Sequence, residues 1–353
     1  MAVQLFRAEN FRCLKKIEFE ADPQYNLIYG ANASGKTSLL EALAYLGRGK
    51  SFRGAPTSAL IRHGAEDFVL FAKVERGERV ATIGVRNSRE GLETKVDGAA
   101  DGGSAALAEL LPLAVIDPDV HNLVAGGPEQ RRRYLDWVAF HVEQSFLPDW
   151  RRYRRALKQR NAALKSDGQG LDAWNAEFIE LGLKIDAARQ AVLEICVDSL
   201  EEQGSALLGS DVRYEYRPGW GKDQSLAEAL SEGLERDLAL GSTQMGPHRA
   251  DIRLFFDDRQ ARRLVSRGQQ KQLACSMILA ATEVVQTHLE RPMLLLLDDP
   301  AAELDHDALG RLMNQVFGLG CQVLATTLEP AALTFPQEPR LFHVEQGVLT
   351  RLT

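Results

Sequence analysis

The stretch "GANASGKT", Gly30 to Thr37, constrains this chain more than any other. It fits G-x-x-x-x-G-K-[ST], the pattern of a phosphate-binding loop. Its surroundings are the ones such a loop needs. The apolar strand "YNLIYG" runs into it. "TSLLEALAYLGRG" leaves it, with Leu39, Leu40, Leu43 and Leu46 at helical spacing and Gly47 as a stop. Gly30 and Gly35 free the backbone to aim several N–H groups at phosphate oxygens. The helix start adds a favourable dipole. Lys36 is placed to reach β- and γ-phosphates, and the Thr37 hydroxyl to hold magnesium. Ala31, Asn32, Ala33 and Ser34 complete the cradle.

"LLLLDDPAAELD", Leu294 to Asp305, is the natural partner of that loop. A buried strand ends there in two carboxylates. Asp298 is placed to hold magnesium through water, and Asp299 to polarise an attacking water as general base. Carboxylates also end strands for solvation alone, and it is the phosphate loop that turns this pair toward chemistry.

Between the two motifs the chain changes character. The first third is β-rich, with "FVLFAKVERGERVATIGVRNSREGLETKVDG" reading as antiparallel hairpins. From about Pro128 to Leu240 the pattern is helical, broken at "KSDGQG" and "YRPGWGKD". The last third returns to strands and helices: "MLLLLDD", "CQVLATT" and a closing hairpin in "RLFHVEQGVLTRL". The expected class is α/β: a largely parallel sheet, an antiparallel β part and a helical insertion. The expected boundaries are 1–125, 126–240 and 241–353. The 353 residues suffice for one large domain with an insertion or for two ordinary ones.

No signal peptide or membrane-length apolar run is visible, so a cytoplasmic protein without membrane contact is expected. Four cysteines, Cys13, Cys196, Cys275 and Cys321, lack metal or disulfide spacing and read as buried free thiols. A net charge of −7 argues against coating nucleic acid by bulk charge. The middle of the chain nevertheless carries a local basic patch in "RRRYLDW" and "WRRYRRALKQRNAALK". Arg131, Arg132, Arg133, Arg151, Arg152 and Arg155 are the candidate DNA contacts, with Arg154, Lys158 and Arg160 beside them. Trp150 and Tyr153 are placed to stack on unpaired bases, while Tyr134 and Trp137 read as core. An exposed helix face with no ligand remains an equal reading of the same residues.

"VSRGQQ", Val265 to Gln270, resembles the LSGGQ signature of ABC-type ATPases, with Arg267 in place of a small residue. An ordinary capped helix, with Ser266 as the cap, fits it too. The resemblance implies a half-site, in which Ser266, Gly268 and Gln269 close on a nucleotide held by a second subunit.

Taken with "LFRAENFRCLKKIEFE", "GGPEQRRRYLDW" and "GPHRADI", these motifs resemble the RecF family of bacterial DNA-repair ATPases over almost the whole chain. The resemblance implies an ABC/SMC-like ATPase head and a helical lobe. It implies ATP-dependent homodimerisation, weak DNA-dependent ATP hydrolysis used as a switch, and binding to single-stranded or gapped DNA. RecR- and RecO-like partners, RecA loading and SOS induction follow from it as well. Ala33 stands where the family commonly has Gly, a mild change at negative φ and a costly one at positive φ. Asp299 stands where transporters use Glu, consistent with slow turnover. No Q-loop glutamine is evident, and Asp117 and Asp119 of "VIDPDV" occupy a comparable stretch. "LATTLEP" offers Thr326 or Thr327 in place of a switch histidine. The missing Q-loop and histidine weigh against a transporter ATPase subunit. The short, irregular insertion weighs against a long coiled-coil SMC protein. His248 and Arg249 fit either a structural turn or a sensor of nucleotide or DNA.

Overall fold

The computed structural model describes residues 2–352, apart from Glu78, Asp101, Gly102, Asp167, Asp258, residues 262–264 and Glu303. Glu303, inside the "LLLLDDPAAELD" stretch, therefore lies outside the described residues. The chain divides into two compact units, 1–120 with 290–353 and 121–289.

Numbered along the chain, the strands are β1 (Ala2–Phe11), β2 (Leu14–Glu20), β3 (Tyr25–Tyr29), β4 (Asp67–Arg76), β5 (Arg79–Ser88), β6 (Gly91–Val96), β7 (Ala99–Ala100), β8 (Leu113–Ile116), β9 (Val212–Arg217), β10 (Asp251–Phe256), β11 (Arg259–Gln260), β12 (Leu294–Leu297), β13 (Gln322–Thr327), β14 (Arg340–Glu345) and β15 (Val348–Arg351). The first unit holds two six-stranded sheets. One is an antiparallel meander in the order β2-β1-β4-β5-β6-β7. The other runs β15-β14-β3-β13-β12-β8, parallel except for the closing β14–β15 hairpin. Strand β12, "LLLL", is buried at every position, as a strand covered on both faces must be.

The helix that leaves the phosphate loop, Lys36–Arg48, touches strands of both sheets. Its Leu39, Leu40, Ala42, Leu43, Ala44 and Leu46 are all fully buried, so most of its surface faces the core. Phe11, Tyr45 and Phe68 meet edge to face beside it. A further anchor is polar. Arg12, in the β1–β2 turn, grips the buried carboxylate of Glu41 with two donors, and the Ser51 hydroxyl donates to the same group. That ion pair ties the loop helix to the meander.

The second unit is mainly helical. Helices Pro128–Val142, Phe146–Leu164 and Arg267–Leu289 pack on a 38-residue helix, Leu171–Leu208. It also holds a three-stranded sheet, β11-β10-β9. The boundaries differ from those expected. The first falls at Val120, and residues 241–289 stay with the helical unit, because β10 pairs with β9 and the helix Arg267–Leu289 packs along Leu171–Leu208. Among the described residues no helix is long and apolar enough to cross a membrane. Cys196, Cys275 and Cys321 are buried thiols as expected, whereas Cys13 is exposed.

Candidate functional site

The phosphate loop joins β3 to its helix. Ala31, Asn32 and Ala33 are exposed, while Gly30, Ser34, Gly35 and Lys36 are buried. The Lys36 ammonium lies over the loop and donates to the carbonyls of Gly30 at 2.6 Å and Ala31 at 3.1 Å. The Ser34 hydroxyl is buried with no hydrogen-bond partner among the described residues, so the loop keeps one polar group for which they supply nothing. Ala33 has φ 62°, the costly case for a side chain at this position, at about 1 kcal/mol.

The loop is shaped by neighbours far away in sequence. A Cβ on Gly30 would come within 2.2 Å of the Val344 carbonyl oxygen, so the approach of β14 requires glycine there. The amide of Gly347, in the β14–β15 turn, donates to the Ser34 carbonyl at 2.8 Å. Gly347 has φ 76°, and a Cβ on it would lie 2.6 Å from the Cys13 carbonyl oxygen. The loop is thus braced by β14 and by the turn that follows it, neither of which a local motif announced.

The carboxylates stand at the ends of neighbouring strands. Asp298, which follows β12, is 4% exposed. Its Oδ1 accepts the Thr37 hydroxyl at 3.0 Å and the Thr326 hydroxyl at 2.9 Å. Burial pushes its carboxyl above the ordinary range; those two hydrogen bonds oppose the rise and the charge of Asp299 adds to it. Asp299 has φ 48° and donates its amide to the Thr326 oxygen at 3.0 Å. Asp117 follows the adjacent β8, whose Ile116 carbonyl accepts the Asp298 amide at 2.9 Å. Burial lifts the Asp117 carboxyl to about 6. Asp119 is exposed, and Asp117 caps the turn, its Oδ1 accepting the Asp119 amide at 2.9 Å.

These donors suit a magnesium–phosphate group. A hydroxyl and a carboxylate, both oxygen ligands, lie together beside an ammonium and an unpartnered loop hydroxyl.

The RecF/RecN/SMC N-terminal domain family matches residues 2–350. Among curated relatives, the DNA replication and repair protein RecF of Shewanella pealeana is 36% identical over 361 residues, covering 99% of both chains. RecF of Thioalkalivibrio sulfidiphilus is 37% identical over 358 residues, again covering 99% of both. The chain belongs to the RecF family. A solved structure of the recombination mediator protein RecF with ATP, in the RecFOR pathway, superposes with a TM-score of 0.91 at 26% identity, covering 100% of this chain and 98% of that one. An Smc head bound to the C-terminal winged-helix domain of ScpA gives a TM-score of 0.61 at 15% identity, which speaks for the fold alone. The fold is accordingly a P-loop ATPase head of the ABC/SMC type with a helical lobe.

The other stretches that carry the resemblance, apart from "LFRAENFRCLKKIEFE", lie in the second unit. In the signature stretch, Ser266, Arg267 and Gly268 are exposed. Ser266 Oγ accepts the Gln269 amide at 3.2 Å, and Gln269 Oε1 accepts the Ser266 amide at 2.9 Å. This is a reciprocal cap on the helix Arg267–Leu289.

The arginines separate into two kinds. Arg131 is 2% exposed. It forks onto Asp251 and donates to the carbonyls of Leu123, Val124 and Gly126 at the end of a short helix. Buried and bonded on all three nitrogens inside the lobe, it is removed from the candidate DNA contacts. Arg132 is half-buried and donates to the Ala250 carbonyl. Arg160 is fully buried and holds Asp237, Asn175 and Thr243. Arg133, Arg151, Arg152, Arg154, Arg155 and Lys158 are exposed. Of these, Arg133 pairs with Glu129, Arg152 pairs with Glu177, and Arg154 lies over the Trp150 ring. Tyr153 and Tyr134 are core residues, so Tyr153 does not reach a base.

"GPHRAD" forms a turn locked into the lobe. His248 Nδ1 accepts the Tyr153 hydroxyl at 2.8 Å and Nε2 donates to the Thr243 carbonyl at 2.9 Å. Arg189 clamps the Pro247 carbonyl and Asp136 together. Burial drives the His248 pKa down to about 4, so the ring is neutral. Arg249 alone points outward, onto Gln244.

Proposed function

We propose that this protein binds ATP with Mg2+ at Gly30–Thr37, hydrolyses it slowly, and uses the bound state to close as a homodimer on single-stranded or gapped DNA. The work would be recombinational repair and replication restart in the cytoplasm. The reading rests first on one observation: Thr37 and Asp298 sit 3.0 Å apart beside a loop whose Ser34 hydroxyl is buried and unpartnered. Lys36 would exchange its loop carbonyls for phosphate oxygens. Thr37 and Asp298 would hold Mg2+, which neutralises charge on the phosphates when bound. Asp299 would take the proton of the attacking water, its arm one carbon shorter than glutamate.

The relatives' names add support. They describe DNA replication and repair, and the similar solved structures carry ATP in the RecFOR pathway. RecR- and RecO-like proteins are the expected partners, with RecA loading and SOS induction as the consequence. Ser266, Gly268 and Gln269 of a second copy would complete the nucleotide site, which makes ATP the clamp and hydrolysis the timer.

The test is anisotropy of a labelled gapped duplex titrated with the full chain in Mg-ATP and in Mg-ADP. Binding should be tighter and cooperative in ATP alone, and Lys36→Ala should abolish the difference. Equal binding in the two nucleotides would refute the clamp.

A further inference from the structure

Thr326 is the last residue but one of β13, with its side chain completely buried. A threonine hydroxyl has one hydrogen to give and lone pairs to accept. Here the hydrogen goes to Asp298 Oδ1 at 2.9 Å, and the oxygen takes the Asp299 amide at 3.0 Å. One side chain therefore touches the carboxylate that faces Thr37 and the backbone of the residue beside it.

That backbone is in a disfavoured conformation. Asp299 has φ 48°, in the left-handed region that side chains rarely adopt. Two hydrogen bonds hold it there: its amide to Thr326, and its carbonyl, which accepts the Ala302 amide at 3.2 Å. The direction in which the Asp299 side chain leaves the chain depends on both. Without the Thr326 oxygen, the amide would be left with no acceptor in this arrangement and free to relax toward an ordinary φ.

We propose that Thr326 is a positioning residue for ATP hydrolysis, setting the Asp298 carboxylate and the Asp299 backbone against each other through one hydroxyl. This rests on the ATPase reading above. The residue touches neither the phosphate loop nor Lys36 by any hydrogen bond among the described residues. Its loss should accordingly fall on turnover and not on nucleotide capture.

The experiment measures kcat and KM for Mg-ATP, and Kd for a fluorescent ATP analogue, on the full chain. Thr326→Val keeps the shape and removes the hydroxyl. It should lower kcat at least tenfold while KM and Kd stay within threefold. Thr326→Ser restores the hydroxyl and should return kcat to within threefold of the parent. Thr326→Cys, with a weaker donor in the same space, should fall between them, and it stands in if the valine variant does not fold. A parental kcat in the valine or cysteine variant overturns the proposal. So does a parallel loss of kcat and Kd, which marks a merely structural residue. If the parent protein binds no ATP, the nucleotide reading itself fails, and this inference falls with it.

Discussion

The exposed face of the helix Phe146–Leu164 gives the sharpest quantitative test of DNA binding. Arg151, Arg155 and Lys158 recur at spacings of four and three, so they form one stripe. Among the described residues no carboxylate pairs with any of the three, whereas Arg133 and Arg152 each hold a glutamate. A cation already paired must give up its partner to meet a phosphate; a free one only releases the phosphate's counterion. Each phosphate neutralised on duplex DNA contributes about 0.9 to the slope of log affinity against log salt. Replacing Arg151 and Arg155 with Ala should therefore flatten the slope by about 1.8. Between roughly 50 and 200 mM salt, that makes the variant's loss of affinity about tenfold smaller than the parent's. The assay is anisotropy of a labelled gapped duplex in Mg-ATP across that range. Arg133→Ala is the comparison, and it should move the slope much less because Glu129 already occupies it. A double variant with an unchanged melting curve and an unchanged slope would remove this helix from the DNA-contact surface.

Three further outcomes follow from the packing. Gly347→Ala places a Cβ 2.6 Å from the Cys13 carbonyl at φ 76° and should disturb the brace on Ser34. Strain of roughly 1–3 kcal/mol passed to the loop weakens Mg-ATP binding by about five- to 150-fold, measurable by calorimetry; parental affinity would show that the turn does not shape the loop. Arg160→Ala strands Asp237 inside the helical unit, where both side chains are 1% exposed, and should cost about 3–5 kcal/mol in chemical denaturation. A loss below about 1 kcal/mol would contradict the pair's buried character. His248 sets a pH limit: its pKa falls from 6.5 to about 4 on folding, so the unfolded chain takes the proton first as pH drops. Its contribution is complete above the unfolded value, is lost between pH 6.5 and about 4, and amounts to roughly 3 kcal/mol. His248→Gln should flatten that segment of a urea-midpoint profile, and an unflattened profile would place the titration elsewhere.

What could be read from residue order was what is local. A strand, a glycine loop and a helix are contiguous, so "YNLIYGANASGKTSLLEAL" declares its own shape. The β12 strand could be read for the same reason, since "LLLL" before two aspartates has no other economical place than a covered sheet. The brace of Gly347 on Ser34 could not, because it joins residues at opposite ends of the chain. Nor could the unit to which residues 241–289 belong, since helical periodicity names an apolar face and not its partner. "VRYEYR" is β9 inside a stretch expected to be helical, although Val212, Tyr214 and Tyr216 alternate with charged residues as in a strand; a six-residue signal is easily lost among long helical runs, and pairing with β10 realises it.

The run Arg131, Arg132, Arg133 shows why charge alone misleads. On a helix each step turns the side chain by about 100°, so three adjacent arginines cannot share a surface. One is buried on Asp251, one is half-buried, and one is exposed. Composition counts all three as basic patch, and only the lobe's packing sorts them. The signature stretch poses the reverse problem, for there two readings of one hydroxyl turn out to be compatible. Ser266 Oγ spends a lone pair on the Gln269 amide, which is all that capping requires. Donation to a phosphate oxygen would use its hydrogen instead. Because Ser266, Arg267 and Gly268 are exposed, the same turn can cap its own helix and still present a donor to an anion from a second copy.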